Sequence, residues 1–136
     1  MKVIIAGSRT ISKELAFYHV LNFLEPRAEF GLSLLLNNRP IAEFVTGDCS
    51  RGADQVPIMI EDWWGSSGYC CHFEIRHFAA RWNEWGRKAG PLRNEEMAKY
   101  ADQLILIWDG KSPGSRNMKE NMQKLDKPVH EVIIKQ

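Results

Sequence analysis

The amino-acid sequence predicts an α/β domain built around a parallel sheet, because short apolar runs alternate with stretches of helical spacing. The 136-residue chain contains five such runs, rich in β-branched residues. The first and the fourth are almost continuously apolar, which is typical of strands that are buried on both faces. The five predicted strands are Val3–Ala6, Ala42–Thr46, Cys71–Ile75, Gln103–Trp108 and Val129–Ile134.

Four helices are predicted between these strands. The first follows a cap at Thr10 or Ser12, and the second contains Pro57, which a helix accepts only in its first turn. The third opens at Pro91, and the fourth stops before Pro128. The first helix has the apolar face Ile11, Leu15, Tyr18, Leu21 and Leu24, and the others span Gly52–Trp64, Leu92–Ala101 and Arg116–Leu125.

Strands that alternate with helices form parallel βαβ units with right-handed crossovers. We therefore expect one domain over residues 1–136, a three-layer Rossmann-like sandwich with five parallel strands in the order 3-2-1-4-5. Two segments interrupt the alternation. Pro26–Pro40 is interpreted as a short extra helix or a continuation of the first helical layer. His77–Gly90 is interpreted as a long functional connection, because its two tryptophans argue against disorder.

Composition narrows the class of protein. Hydrophobic residues make up 44% and charged residues 26%, which excludes a disordered or fibrous chain. The formal net charge is +1, so any attraction to nucleic acid must be local. No run approaches the ~18 apolar residues of a membrane span, and the apolar start is too short for a signal peptide. We therefore expect no membrane partner. Because three cysteines cannot form a complete disulfide framework, we also expect a cytoplasmic protein.

Three glycine-containing loops join a predicted strand end to a helix start, namely Gly7–Thr10, Gly47–Asp54 and Asp109–Arg116. Ligands of open parallel sheets bind beyond the carboxyl ends of the strands. Each loop also carries a cation, and helix starts favour anions, so the sequence predicts a phosphate or nucleotide site. The expected ligand contacts are Gly7, Ser8, Arg9, Gly47, Ser50, Arg51, Gly52, Ala53, Asp54, Asp109, Gly110, Lys111, Ser112, Gly114 and Ser115.

A fourth group of expected ligand contacts lies around the start of the third predicted helix, and consists of Trp82, Lys88, Gly90, Arg93 and Asn94. An arginine at a helix N-terminus opposes the helix dipole, so an anion would offset the unfavourable position of Arg93. We expect Arg51 and Arg93 to hold one phosphate jointly over the glycine loops. We expect Asp54 to act as a ligand or cap residue rather than as a general base, because a helix start stabilises the ionised carboxylate.

Several standard sites are excluded. Gly110-Lys111-Ser112 is not the end of a P-loop, because Ile105 stands where that motif needs a glycine, and the first loop lacks the later glycines of a dinucleotide fingerprint. No metal is expected, since Cys70 and Cys71 would point to opposite faces of a strand. The histidines have no evident serine or cysteine partner, so no catalytic residue is assigned.

In order and spacing, these motifs resemble the YspA-like branch of the SLOG superfamily, which includes the SMF/DprA and LOG proteins. The resemblance covers nearly the whole chain, and the stretch Ala89–Met97 (AGPLRNEEM) is its most specific part. It implies a Rossmann-like protein of bacteria or their phages, in the host cytoplasm if phage-encoded. It also implies a nucleotide or nucleotide derivative bound at these loops, for sensing or for processing.

Two alternatives come from relatives within this superfamily. LOG enzymes are phosphoribohydrolases that release a base from a nucleoside monophosphate, and their catalytic glutamate would be expected near Asn117, with Glu120 one turn further on. DprA-like proteins bind single-stranded DNA. Trp82 and Trp85, interleaved with basic residues, would suit such a strand. The identity of the ligand and the formation of a homo-oligomer stay open at this point.

Overall fold

The computed structural model describes residues 1–27, 33–47, 49, 51–66 and 73–135. Its strands are β1 (Lys2–Gly7), β2 (Leu24–Arg27), β3 (Ser33–Leu36), β4 (Arg39–Pro40), β5 (Glu43–Thr46), β6 (Glu74–His77), β7 (Gln103–Trp108) and β8 (Val129–Ile133). Its α-helices are α1 (Lys13–Leu21), α2 (Val56–Ser66), α3 (Trp82–Trp85), α4 (Ala89–Tyr100) and α5 (Pro113–Lys124). Short 3-10 turns at Gly52–Gln55 and Gly86–Lys88 lead into α2 and α4.

Five strands form the central sheet, and every neighbouring pair in it is parallel. Their order is β6-β5-β1-β7-β8. When only the strands of this sheet are counted along the chain, that order reads third, second, first, fourth and fifth. The ends at which these strands finish are called the carboxyl edge below, and the opposite ends the amino edge.

Alternating side chains of the central strands fill two separate cores. Val3 and Ile5 of β1 pack with α1 and α2 on one face of the sheet. Ile4, between them, packs with α4 and α5 on the other face. Strand β7 is buried along its whole length, as its continuous apolar run predicts. The α/β class, the parallel sheet and the helices on both faces are therefore confirmed.

Only part of the predicted apolar face of the first helix is buried: Ile11 belongs to the core, and Leu24 packs against it. Ser12 caps α1 by accepting the Leu15 N–H at 3.2 Å, but the side chains that α1 buries completely are Ala16 and Val20. Leu15 and Tyr18 are 39% and 61% exposed. Within α1 the smaller Ala16 and Val20 face the sheet, so Leu15 and Tyr18 remain outside the core.

The interpretation of Pro26–Pro40 as a helix is also wrong. Its described residues belong to an antiparallel sheet of β2, β3 and β4. Asn37 and Asn38 have φ angles of 50° and 64°, which are the left-handed values that a tight two-residue hairpin turn requires and that asparagine tolerates. Leu34 and Leu36 of β3 extend the core on the α1 side of the central sheet.

The connection between the third and fourth strands of the central sheet is mostly helical rather than one long loop. Helix α3 and a 3-10 turn run directly into α4, which begins at Ala89 and not at Pro91. Arg93 therefore lies in the second turn of α4, where the helix dipole has little effect. The sequence argument that an anion must offset an unfavourable dipole at Arg93 is therefore wrong. In α2, by contrast, Pro57 falls in the first turn as predicted.

Candidate functional site

A cavity of about 330 Å³ opens at the carboxyl edge, and it is called the first cavity below. Loops that follow β1, β5 and β7 surround it, together with one face of α4 and the start of α5. The three predicted glycine loops therefore meet around one void, together with the part of the fourth predicted group that lies on α4. Its walls are formed by Ala6, Gly7, Ser8, Arg9, Thr10, Gly47, Cys49, Asp54, Arg93, Asn94, Met97, Ser112, Pro113, Gly114, Ser115 and Met118.

Arg93 is the cation placed deepest in this cavity, and its side chain is half-buried. Its Nη1 donates to the Gly47 carbonyl at 2.9 Å, and its Nη2 donates to Asn94 Oδ1 at 3.3 Å. Within the described part of the chain, Arg93 Nε is a buried N–H group without a hydrogen-bond partner. A buried donor that lacks an acceptor costs about 1–3 kcal/mol, so Arg93 lowers the stability of the fold in this arrangement.

The first turn of α5 forms the opposite wall. Its N-cap, Ser112, makes no side-chain capping bond, and the first N–H groups of a helix have no intrahelical partners. A Cβ atom added to Gly114 would meet nothing within 4 Å, so the backbone here faces open space. Asn94, which is almost fully buried, donates to the Gly114 carbonyl at 3.2 Å and holds this turn in place.

Not every predicted glycine serves the cavity. A Cβ atom added to Gly7 would lie 1.9 Å from the Ile107 carbonyl oxygen, so glycine is required there to let β1 and β7 come together. A Cβ atom at Gly47 would meet the Arg93 guanidinium at 3.0 Å, so that glycine makes room for the arginine. Gly114 is thus the predicted glycine that leaves its backbone accessible to a ligand.

Asp54 organises the loop after β5. Its Oδ2 accepts the Cys49 N–H at 3.0 Å, while its own carbonyl accepts the Thr46 hydroxyl at 2.8 Å. Gln55 Nε2 donates to the Cys49 carbonyl at 2.7 Å and ties the same loop from its other side. The Asp54 carboxylate consequently lines the cavity as an acceptor fixed by the loop backbone, and it does not cap the 3-10 turn, whose N-cap is Arg51.

Asp109 organises the loop before α5 instead of facing the cavity. Its carboxylate accepts the N–H groups of Lys111 and Ser112, each at 2.8 Å, and the Ser112 hydroxyl. These bonds hold the pKa of Asp109 well below its ordinary value, and the hydrogen bonds from the backbone N–H groups of Lys111 and Ser112 lower it most. Ser8 links this loop to β1, because its hydroxyl accepts the Asp109 N–H at 3.1 Å.

The structure separates the predicted contacts into two sets. Those that line the first cavity are Gly7, Ser8, Arg9, Gly47, Asp54, Arg93, Asn94, Ser112, Gly114 and Ser115. Those that do not line it are Arg51, Gly52, Ala53, Trp82, Lys88, Gly90, Asp109, Gly110 and Lys111, and Ser50 lies outside the described residues. Arg51 is exposed and is not part of the cavity wall that Arg93 forms.

Several lining residues were missed by the sequence prediction. Met97 lies one helical turn after Arg93, and Met118 lies three residues after Ser115, so both follow from the spacing of a helix face. They give the cavity an apolar floor between its polar walls. Thr10 and Cys49 stand in loops that were already singled out, and only the fold shows that they face the cavity.

The residues that bear on hydrolysis and on metal binding lie as follows. Asn117 occupies the position where a LOG-type glutamate would be expected, and its Oδ1 accepts from Asn94 Nδ2 at 3.0 Å. Glu120 is exposed and lies outside the cavity wall. No group of three or more His, Cys, Asp or Glu side chains suited to a metal ion occurs among the described residues. Cys70 and Cys71 lie outside the described residues.

Comparisons with protein-family models, curated proteins and solved structures find no match to this chain. Among the described residues, no helix has both the length and the apolar character needed to cross a membrane.

Proposed function

We propose that this chain binds a nucleotide or a nucleotide-derived phosphorylated ligand in the first cavity, as a nucleotide sensor or a nucleotide-processing protein of the SLOG type. The proposal depends on one observation. The half-buried Arg93, with an unpartnered N–H group, stands across a void from the accessible first turn of α5. Both walls offer donors, and a phosphate offers several anionic acceptors.

The size and lining of the cavity support a small phosphorylated molecule. Its volume of about 330 Å³ lies within the range of about 300–1,000 Å³ that is usual for small-molecule sites. Arg9 and Thr10 are exposed at its rim, while Met97 and Met118 are buried at its floor. An anionic group near Arg93 and a less polar part of the ligand over the methionines would match this distribution of donors and apolar surface.

The first prediction concerns Arg93. Replacement by alanine should lower the affinity for a bound nucleotide roughly ten- to a hundredfold, because a charge-assisted hydrogen bond contributes about 1.5–3 kcal/mol. The melting temperature without ligand should change little, because the unpartnered Nε is removed together with the bonds to Gly47 and Asn94. A thermal-shift screen of nucleotides, cyclic nucleotides and ADP-ribose derivatives identifies the ligand, and titration calorimetry measures its affinity.

Two further variants sharpen this test. Arg87→Ala removes an exposed cation outside the cavity wall and serves as the control, while Arg51→Ala should weaken binding less than Arg93→Ala does. The proposal fails if no nucleotide stabilises the wild-type chain, or if Arg93→Ala binds as tightly as the wild type. Release of free base from a nucleoside monophosphate would instead assign the phosphoribohydrolase activity, and its absence with tight binding would indicate a sensor.

A further inference from the structure

A second cavity of about 250 Å³ lies beside the first at the carboxyl edge, against the outer side of α4. Its walls come from the segment after β6, from α3 and from a stripe of α4 residues at helical spacing. Arg93 lines both cavities, so the two adjoin at this one side chain. Of the other residues around the second cavity, Trp85 was expected only as a contact for a single-stranded nucleic acid, and none belongs to the expected contacts of a nucleotide.

The second cavity has the lining of a site for a flat aromatic ring. Trp85 forms one side of it and is 54% exposed, which leaves much of its indole available for a further contact. Ala79, Ala89 and Leu92 provide apolar surface around it. An aromatic side chain over small apolar residues is a typical platform for stacking a nucleobase.

Size argues that this void belongs to a larger site. A volume of about 250 Å³ falls below the lower limit of about 300 Å³ for a complete small-molecule site, whereas the first cavity exceeds it. In a nucleotide, a ribose separates the phosphate from the base, and here one arginine side chain separates the two voids. A single mononucleotide therefore suits the pair of cavities better than two independent ligands do.

We propose that the second cavity holds the base of the nucleotide whose phosphate occupies the first cavity, with Trp85 stacking on that base. This inference rests on the proposed function. Glu96, one helical turn beyond Leu92, also lines the second cavity and presents a carboxylate to it. Carboxylates accept hydrogen bonds from exocyclic amino groups, so the site prefers adenine over hypoxanthine, which carries a carbonyl group at the same position.

The test compares adenosine monophosphate with ribose 5-phosphate, which has the same phosphate and sugar but no base. Trp85→Ala should weaken binding of adenosine monophosphate roughly five- to a hundredfold and leave binding of ribose 5-phosphate unchanged. Trp85→Phe should restore most of the loss. Trp63→Ala, which removes a partly exposed tryptophan of α2 that lines neither cavity, is the matched control.

Glu96→Gln gives a second, independent readout. It should reduce the preference for adenosine over inosine monophosphate roughly fivefold, because a neutral acceptor replaces a charged one. If Trp85→Ala binds both probes as the wild type does, the base lies elsewhere and only this inference is overturned. If the wild type binds neither probe, this inference is overturned, and the nucleotide screen alone decides the proposed function. If the wild type binds only single-stranded oligonucleotides with a steep dependence on salt, both proposals are overturned.

Discussion

The two edges of the central sheet treat their polar groups in opposite ways. At the amino edge, polar groups are paired within the chain: the Lys2 backbone N–H donates to the Asp102 carboxylate at 2.8 Å, and the Tyr100 hydroxyl donates to Glu43 at 2.5 Å. That bond raises the pKa of Tyr100 above its ordinary value. At the carboxyl edge, Arg93 keeps an unpartnered N–H group beside a void.

This difference teaches where stability and function are located. Polar groups that are paired within the chain hold the fold together, whereas a buried donor without an acceptor lowers the stability of the fold. The amino edge is therefore expected to respond to mutation through stability. The interior of the carboxyl edge is expected to respond through affinity.

The largest change in stability should come from one of two glycine substitutions at the carboxyl edge. Comparing the two variants separates positions that support the fold from positions that bind the ligand. Gly7→Ala places a Cβ atom against the Ile107 carbonyl and should cost about 3 kcal/mol or more. Gly114→Ala has open space and should instead raise stability by about 0.5–1 kcal/mol while weakening phosphate binding. Chemical denaturation and calorimetry measure the two quantities. Equal destabilisation by both changes would show that the edge is not divided in this way.

An intermediate effect should come from the amino edge. Lys127 Nζ donates to three carbonyl oxygens at the end of α4, those of Ala98, Lys99 and Ala101, at 2.7, 3.1 and 2.7 Å. Lys127→Met should therefore destabilise the fold by roughly 1.5–3 kcal/mol and leave ligand affinity unchanged. Lys124→Met, an exposed lysine in the last turn of α5, is the control. A loss of affinity equal to the loss of stability would mean that the two edges are coupled through α4.

The smallest effect should be a dependence of stability on pH at the amino edge. His130 Nε2 lies 2.7 Å from Gln103 Oε1, and burial lowers the pKa of His130 below its ordinary value of 6.5. The unfolded chain then binds a proton more readily than the folded chain. This contribution to stability is thus present above pH 6.5 and is lost as the pH falls through the folded-state pKa.

His130→Gln measures that contribution. The variant should lose less stability than the wild type between pH 7.5 and pH 5, when melting is followed at both pH values. His19→Gln in α1 provides the comparison for a histidine outside this contact. Parallel pH profiles for the wild type and His130→Gln would contradict the prediction.

The parts of the fold that could be predicted are those in which periodicity and burial agree. Strand β7 has the predicted bounds, because all six of its residues are buried and five of them form a continuous apolar run after Gln103. The meeting of the loops at one edge also follows from sequence, since parallel strands must bring their carboxyl ends together. The antiparallel sheet was missed because β4 is only the exposed pair Arg39–Pro40, although Asn37-Asn38 after the apolar β3 is a recognisable turn signal.

The candidate site could be predicted only as a neighbourhood. Sequence spacing places Asp109 and Arg93 near the same edge of the sheet. It does not predict that the Asp109 carboxylate binds N–H groups of its own loop while Arg93 lines the cavity. That choice depends on which backbone N–H groups lie within about 3 Å of each side chain, which only the packed structure determines. The second cavity was missed for the same reason, because Trp85 and Glu96 lie eleven residues apart along the chain.

The small antiparallel sheet offers a practical use as an attachment point. Its turn at Asn37-Asn38 is exposed, and none of the residues that line either cavity belongs to this sheet. A fluorescent label or an immobilising tag placed at this turn would leave both cavities open. Trp85, which lines the second cavity, would serve as an intrinsic reporter, so this arrangement suits the domain for conversion into an optical sensor of the ligand that we propose.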